Sequence, residues 1–143
     1  MARRRSRSRL RGASVPDAVV LDSGALSAGA SGQVRVRAEL AIAEQLGVRV
    51  HVSSVVLAEV LRGHPRDARV HALLQALAKD AVTPELGRAA GEVLGRAGGD
   101  DTIDAIVAVS AESLSGRVRL LAGDVSDLRR LTADMPNVSV API

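Results

Sequence analysis

The sequence predicts an α/β fold, a three-layer α/β/α sandwich around a mostly parallel sheet of about five strands. Three observations support this prediction. Short apolar runs alternate along the chain with amphipathic helical segments, which is the pattern of parallel strands joined by helices. The first run, over residues 18–22, is apolar at consecutive positions, as expected of a strand buried on both faces. The chain has 143 residues, 47% of them hydrophobic, which is enough for one domain with its own core.

Five segments are predicted to be strands. Each is short and rich in Val, Leu or Ala. In chain order they lie at residues 18–22, 48–52, 81–83, 118–122 and 137–142. Because helical segments separate them, neighbouring strands are expected to run parallel to one another.

Helices are predicted between these strands. Residues 66–79 carry apolar side chains at i, i+3, i+4 and i+7, which defines one apolar stripe. Residues 84–97 form another such segment, opened by a proline and closed by two glycines, and a third helix begins near Thr102. Residues 34–46 are ambiguous, because VRVR alternates like a strand whereas AELAIAEQL followed by Gly47 is typical of a helix.

The composition excludes several kinds of site. The chain has no Cys, so a disulfide, a Cys-ligated zinc ion and a thiol nucleophile are all impossible. It has no Phe, Trp or Tyr, so nucleic acid cannot be bound by stacking aromatic rings on bases. The glycines do not form the loops that bind dinucleotides or nucleoside triphosphates.

Positive charge is concentrated at the N-terminus. The net charge is +3, but residues 1–12 carry six Arg and no acid, which leaves 13 basic against 16 acidic residues elsewhere. Such dense like charge predicts a disordered arm over residues 1–14, either a mis-assigned start or a tail that attracts RNA, before a single domain over 15–143. Asp17 and Asp22 interrupt the stretch that a signal peptide would need, and no run reaches the roughly 18–20 apolar residues of a membrane span. We therefore expect a cytoplasmic protein.

Acidic side chains are predicted to gather at the carboxyl edge of the sheet, where sites form in parallel sheets. Asp22 follows the first strand, and Asp124 follows the fourth with Asp127 one turn later. Glu59 is the single acid of an otherwise apolar helical segment over residues 53–63. The alternative for each is structural, since an Asp after a strand often caps a helix and a lone Glu can face water.

A second acidic group lies at the start of the helix near Thr102. Asp104 is in its first turn, and Asp101 lies three residues earlier, on the same side of the axis if it is helical. Carboxylates brought to one edge repel one another unless a cation lies among them. Oxygen ligands without Cys or His favour Mg²⁺ or Mn²⁺ over zinc, and such an ion can activate water for attack on a phosphodiester.

Around these acids the sequence resembles PIN-domain ribonucleases, specifically the toxin of VapBC-type toxin–antitoxin pairs. The matching segments are VVLDSGAL (19–26), SSVVLAEVLRG (53–63), GDDTIDAIVAVSA (99–111) and LLAGDVSDLRRL (120–131), in the order of the family. The resemblance implies a PIN-like α/β/α sandwich and an endoribonuclease that depends on Mg²⁺ or Mn²⁺. It further implies an RNA substrate, an antitoxin protein that blocks the site, and a homodimer.

The resemblance also assigns the site residues. The implied catalytic acids, which would also bind the metal, are Asp22, Glu59, Asp104 and Asp124. Asp101 and Asp127 match positions where the family often has supporting acids, and they are expected to bind the metal as well.

Three further features bear on the implied site. Ser23 matches the small hydroxyl residue that follows the first Asp of the family, and Arg62 could contact a substrate phosphate or remain a solvated charge at a helix end. The family commonly has Thr–Ser–Asp at the end of the fourth strand, where this sequence has Ala122–Gly123–Asp124. The lost hydroxyls would weaken a contact to phosphate or to metal-bound water.

Two alternative functions remain open. The altered segment 122–124 leaves open a catalytically silent PIN-like module that only binds RNA or a partner. An α/β phosphohydrolase with Asp22 as its nucleophile would need a second Asp at the position of Gly24.

Arg129 and Arg130 are expected to form a solvated face.

Overall fold

The computed structural model describes residues 15–143, and the predicted arm lies outside the described residues. Five strands form one sheet in which every pair is parallel, in the order β3-β2-β1-β4-β5. The strands are β1 (Ala18–Leu21), β2 (Arg49–Ser53), β3 (Ala78–Asp80), β4 (Val118–Ala122) and β5 (Val138–Pro142). The predicted fold class is confirmed.

Helices connect the strands in two groups. They are α1 (Ser23–Ala30), α2 (Val34–Leu46), α3 (Ser54–Val60), α4 (Ala68–Leu74), α5 (Pro84–Ala97), α6 (Thr102–Glu112) and α7 (Val125–Leu131), with a short 3₁₀ turn at Pro65–Asp67. From β1 to β3 the chain moves across the sheet in one direction, and from β3 to β5 in the other. Because parallel crossovers are right-handed, α1–α4 cover one face and α5–α7 the other. The observed contacts agree, since α1 packs on α2, α3 and α4, while α5, α6 and α7 pack on one another.

The core lies on both faces of the central strands. All four residues of β1 are buried, and so are the apolar residues of β4. Helix α6 is buried along most of its length, from Ala105 to Ala111. The core is therefore aliphatic, as the composition requires. Within the described part of the chain, no helix has the length and apolarity needed to span a bilayer.

Two predicted boundaries near β3 are wrong. The helix expected over residues 66–79 is a 3₁₀ turn followed by α4, which ends at Leu74, and the strand expected at 81–83 is formed by Ala78–Asp80. The buried Leu77 continues the apolar stripe although it lies beyond the helix. The Lys79 ammonium donates to the carbonyl oxygens of Leu74 (2.7 Å) and Leu77 (3.1 Å), which helps to end the helix and lets the chain enter the sheet earlier.

The ambiguous segment at 34–46 is helical. It ends at Gly47, whose φ of +68° is the left-handed conformation that closes helices, and the Gly47 N–H donates to carbonyls of the last turn. The helix predicted within 53–63 ends at Val60, so Arg62 and Gly63 lie in the loop beyond it.

Candidate active site

Asp22 links the ends of the two central strands. It follows β1 and caps α1, with its Oδ1 accepting a hydrogen bond from the Ala25 N–H at 2.7 Å. Its Oδ2 accepts from the Gly123 N–H, which follows β4, at 3.2 Å. Burial raises the pKa of Asp22 above its ordinary value, as does the nearby charge of Glu59, although these backbone donors act in the opposite direction. The carboxylate is thus held in a fixed position in spite of unfavourable burial.

Two glycines allow this arrangement. A Cβ added at Gly24 would lie 3.1 Å from the Cα and 3.2 Å from the N of Gly123, closer than side chains normally approach a backbone. A Cβ added at Gly123 would meet only the Gly24 Cα, at an ordinary 3.4 Å. The altered segment at 122–124 therefore includes a close backbone contact that brings the Gly123 N–H to Asp22.

Three carboxylates form a cluster at the N-termini of α6 and α7. One oxygen from each of Asp101, Asp104 and Asp127 lies within 4.8 Å of the others. Asp101 caps α6, its Oδ1 accepting from the Asp104 N–H at 2.9 Å, and Asp127 lies in the first turn of α7. We call these three residues the acidic cluster.

The acidic cluster is electrostatically crowded. Partial burial raises the pKa of Asp104 to about 7, with Asp101 adding to the effect through its charge and a hydrogen bond, and Asp22 and Asp127 through their charges. The charge of Asp22 therefore also disfavours ionisation of Asp104, and we treat Asp22 and the acidic cluster as one electrostatic unit. At neutral pH the group favours either a proton or a cation.

Asp124 and Glu59 lie at the margin of this unit. Asp124 caps α7, with its Oδ1 accepting from the Ser126 N–H (3.1 Å) and Oγ (2.9 Å), so its capping alternative is realised. Glu59 is exposed on α3. It lines an open groove of about 430 Å³ together with Ser23 and Arg62, near enough to Asp22 to affect its pKa.

Two arginines make contacts that differ in kind. The Arg62 guanidinium turns back to the carbonyl oxygens of Ala58 (2.9 Å) and Leu61 (2.8 Å), at the end of α3, while still lining the groove. Arg130 is exposed, as expected of a solvated face, and its guanidinium also hydrogen-bonds to Asp127 and to the Ala97 carbonyl oxygen at the end of α5. Arg129 is exposed, as expected.

One structural acid was missed. Asp67 is buried, and its Oδ2 accepts from the N–H groups of Arg62 and Gly63, both at 2.8 Å, and of His64 at 3.2 Å. These donors hold the pKa of Asp67 below its ordinary value, led by the Arg62 N–H. The only signal in the sequence is an Asp two residues after a proline, which is common to many turns.

The acidic cluster fits a hard divalent cation. All three of its residues offer carboxylate oxygens, which Mg²⁺ and Mn²⁺ prefer. None of the three offers a thiol or an imidazole. The raised pKa of Asp104 means that negative charge there lacks compensation from the protein.

The sequence was compared with known families and structures. The family model of the PIN domain matches residues 19–131. This chain belongs to the PIN domain family. The resemblance inferred from its motifs is thereby confirmed, and the matched span includes every acid predicted for the site.

Solved structures share the fold of this PIN domain. VapBC2 from Rickettsia felis, bound to a DNA fragment from its promoter, matches with a TM-score of 0.69 and 15% identity over 87% of this chain and 98% of the other. A toxin–antitoxin complex from Klebsiella pneumoniae matches with a TM-score of 0.66 and 17% identity over 85% and 96% of the two chains. A search among curated proteins gives no match to this sequence.

Proposed function

We propose that this PIN domain is a metal-dependent endoribonuclease that hydrolyses RNA phosphodiester bonds, and that it is the toxin of a toxin–antitoxin pair. The observation that carries the proposal is the acidic cluster, which lies with Asp22 at the carboxyl edge of the sheet. A fold needs no such crowding for stability, since like charges at this spacing oppose folding. Uncompensated charge of this kind is typical of functional sites.

Asp101, Asp104 and Asp127 would hold the metal, Mg²⁺ or Mn²⁺. When bound, the ion supplies the positive charge that lowers the pKa of a water and stabilises the developing charge on phosphate. The Ala25 and Gly123 N–H groups would hold the Asp22 carboxylate in place beside the metal site during the reaction.

The groove beside Asp22 would receive the RNA backbone. Ser23 offers a hydroxyl donor and Arg62 a positive charge on its lining, both suited to phosphate oxygens. Glu59 lies on the same lining and would act with Asp22 as a base or as an additional ligand. Asp124 would contribute chiefly by capping α7 and so orienting Asp127.

The partner would be an antitoxin that covers this groove. Support comes from the two solved structures of this fold, which are described as VapBC2 and as a toxin–antitoxin complex. A homodimer is part of the same proposal.

Metal-dependent cleavage tests the proposed function. Purified protein, separated from any antitoxin under denaturing conditions and refolded, should cut RNA with Mg²⁺ or Mn²⁺ and stop when EDTA is added. An Asp104→Asn variant purified in parallel is the control for contaminating nuclease. Cutting that persists in EDTA, or that is equal in the variant, would contradict the mechanism.

The silent module is the second candidate, favoured by one observation. Asp124, the acid at the end of β4, has its Oδ1 engaged by Ser126 rather than free beside the acidic cluster. Under this alternative the refolded protein would bind RNA with or without metal and cut none of it.

A further inference from the structure

Arg130 bridges two parts of the chain that carry acids of the cluster. Its Nη2 donates to Asp127 Oδ1 at 3.2 Å, one turn away on α7. Its Nη1 donates to the carbonyl oxygens of Ala97, at 3.0 Å, and of Gly98, at the C-terminal end of α5. One guanidinium thus joins α7 to a segment more than 30 residues away in sequence.

The guanidinium lies close to the loop that leads to Asp101. Gly99 has a φ of +101°, and a Cβ added to it would lie 2.8 Å from Nη2 and 3.0 Å from Nη1 of Arg130. This loop, from Gly98 to Asp101, joins α5 to the N-terminus of α6. Its position therefore sets the position of the Asp101 carboxylate.

The chemistry requires an arginine. The last carbonyls of α5 carry the negative end of the helix dipole, and Asp127 carries a full negative charge. A planar guanidinium can donate to both at once in fixed directions, whereas a lysine ammonium would hold them with one mobile point charge.

We propose that Arg130 is a positioning residue that holds Asp101 and Asp127 at the spacing needed to bind one divalent cation. It acts directly on Asp127 and, through the loop after α5, on Asp101. The inference rests on the proposed function, because it assigns a role toward the metal of that same site.

A simpler role for Arg130 predicts the opposite result. If the guanidinium served only to neutralise the acidic cluster, its removal would make the cluster more negative and would tighten cation binding. A positioning role predicts weaker binding, since the ligands would lose their fixed spacing. The sign of the change separates the two roles.

Binding of Mn²⁺ to the RNA-free protein, followed by the electron paramagnetic resonance signal of the free ion, tests the proposal. The variants are Arg130→Gln, Arg130→Lys, and Arg129→Gln as the matched control. Arg129 is exposed on the same helix, and its side chain makes no hydrogen bond or ion pair with other described residues. Both Gln variants remove one positive charge, whereas Arg130→Lys retains it.

We expect Arg130→Gln and Arg130→Lys to weaken Mn²⁺ binding by about 10- to 100-fold, the usual effect of removing a group that orients metal ligands. Arg129→Gln should bind as the wild type does. If Arg130→Gln does not fold, as judged by circular dichroism in EDTA, Arg130→Lys carries the comparison, because it keeps the charge and most of the apolar stem.

Two results would overturn the proposal. If both Arg130 variants bind Mn²⁺ as tightly as the wild type or more tightly, Arg130 has no positioning role. The proposed function would stay intact. Failure of the wild type itself to bind Mn²⁺ would remove the metal site, and the role of Arg130 with it.

Discussion

Asp67 and Asp104 are the same residue type in opposite electrostatic environments. Asp67 receives three backbone N–H groups on one oxygen, and these donors hold its pKa below the ordinary value. Asp104 is partly buried beside Asp101, Asp22 and Asp127, which raises its pKa to about 7. Asp67 ends a 3₁₀ turn, and Asp104 lies in the first turn of α6. The difference lies in what faces the carboxylate, which is donors in one case and other acids in the other.

This contrast separates structural acids from functional ones. A carboxylate whose charge is satisfied by the backbone stabilises the loop that it joins, and its removal leaves donors unpaired. A carboxylate crowded by other acids opposes folding until a cation or proton arrives, so its retention points to function. Substitutions at the two positions should therefore fail in opposite ways.

The largest expected effect is on cleavage by Asp104→Asn. Removing a ligand should cost more than the about 10- to 100-fold typical of groups that only orient ligands, so we expect loss beyond about a hundredfold. Stability in EDTA should be unchanged or higher, because one repelling charge is gone. The cleavage rate per folded molecule and the urea midpoint together check this, and a large drop in the midpoint would contradict it. Asp22→Asn is a poorer test, since its amide would face the donor of Gly123.

Asp67→Ala should show the reverse behaviour. Three N–H groups would lose their acceptor, and the turn after α3 would lose its anchor, so the urea midpoint should fall well below that of the wild type. The folded fraction should still cleave RNA at a rate close to normal. Asp67→Asn keeps one acceptor oxygen, so its urea midpoint should lie between those of the wild type and Asp67→Ala. A variant as stable as the wild type would remove the structural role.

Gly24→Ala and Gly123→Ala test whether Asp22 depends on the close approach of the two loops. The first should cost about 1–3 kcal/mol of stability, since its Cβ would force the Gly123 backbone away and lengthen the bond to Asp22. The second should cost less, because its Cβ meets only an ordinary contact. Exchange of the Gly123 amide proton, followed by NMR, should accelerate in Gly24→Ala alone. Equal exchange in both variants would contradict the geometry.

The pH dependence of stability should have two limbs in metal-free protein. Because the pKa of Asp104 is raised from 3.8 to about 7, its contribution is fully present below the lower value and is lost as the pH rises toward the upper one. Asp67 has a lowered pKa, so its contribution is present above 3.8 and is lost as the pH falls below it. Urea unfolding in EDTA across this range should show Asp104→Asn flattening the neutral limb and Asp67→Asn flattening the acidic one. Profiles that match the wild type would refute both assignments.

The smallest effect is expected at Ser110, which extends the comparison to an uncharged group. Its hydroxyl is buried in α6 and has no hydrogen-bond partner among the described residues. Ser110→Ala should therefore leave stability unchanged or raise it slightly, within about 1 kcal/mol. Thr132→Val is the matched control, because the Thr132 hydroxyl donates to Leu128 at 2.7 Å and its loss should be destabilising. A destabilised Ser110→Ala would mean that the hydroxyl has an unseen partner.

Sequence periodicity was sufficient to predict the central strands and the edge where acids gather. Asp22 and Asp104 could be found because each follows or begins an apolar segment. The sequence left both a capping and a metal-binding role open for Asp124, because the direction of its side chain could not be predicted. The structure shows its Oδ1 capping α7, and Asp124 is not among the three acids of the cluster. The spacing of Arg130 from Asp127 is visible in the sequence, but its bonds to backbone carbonyls more than 30 residues away gave no signal. The β3 boundary failed for a similar reason, since the bonds of Lys79 that end α4 do not depend on periodicity.

Metal-linked unfolding tests the central claim most directly. At a concentration 100 times its dissociation constant, Mg²⁺ or Mn²⁺ bound only to the folded state should raise wild-type stability by about 2.7 kcal/mol over EDTA. We predict that Asp104→Asn loses most of this increment, whereas Asp67→Asn keeps it from a lower starting stability. An ion that stabilises Asp104→Asn as much as the wild type, or that stabilises neither, would contradict the assignment of the acidic cluster as the metal site.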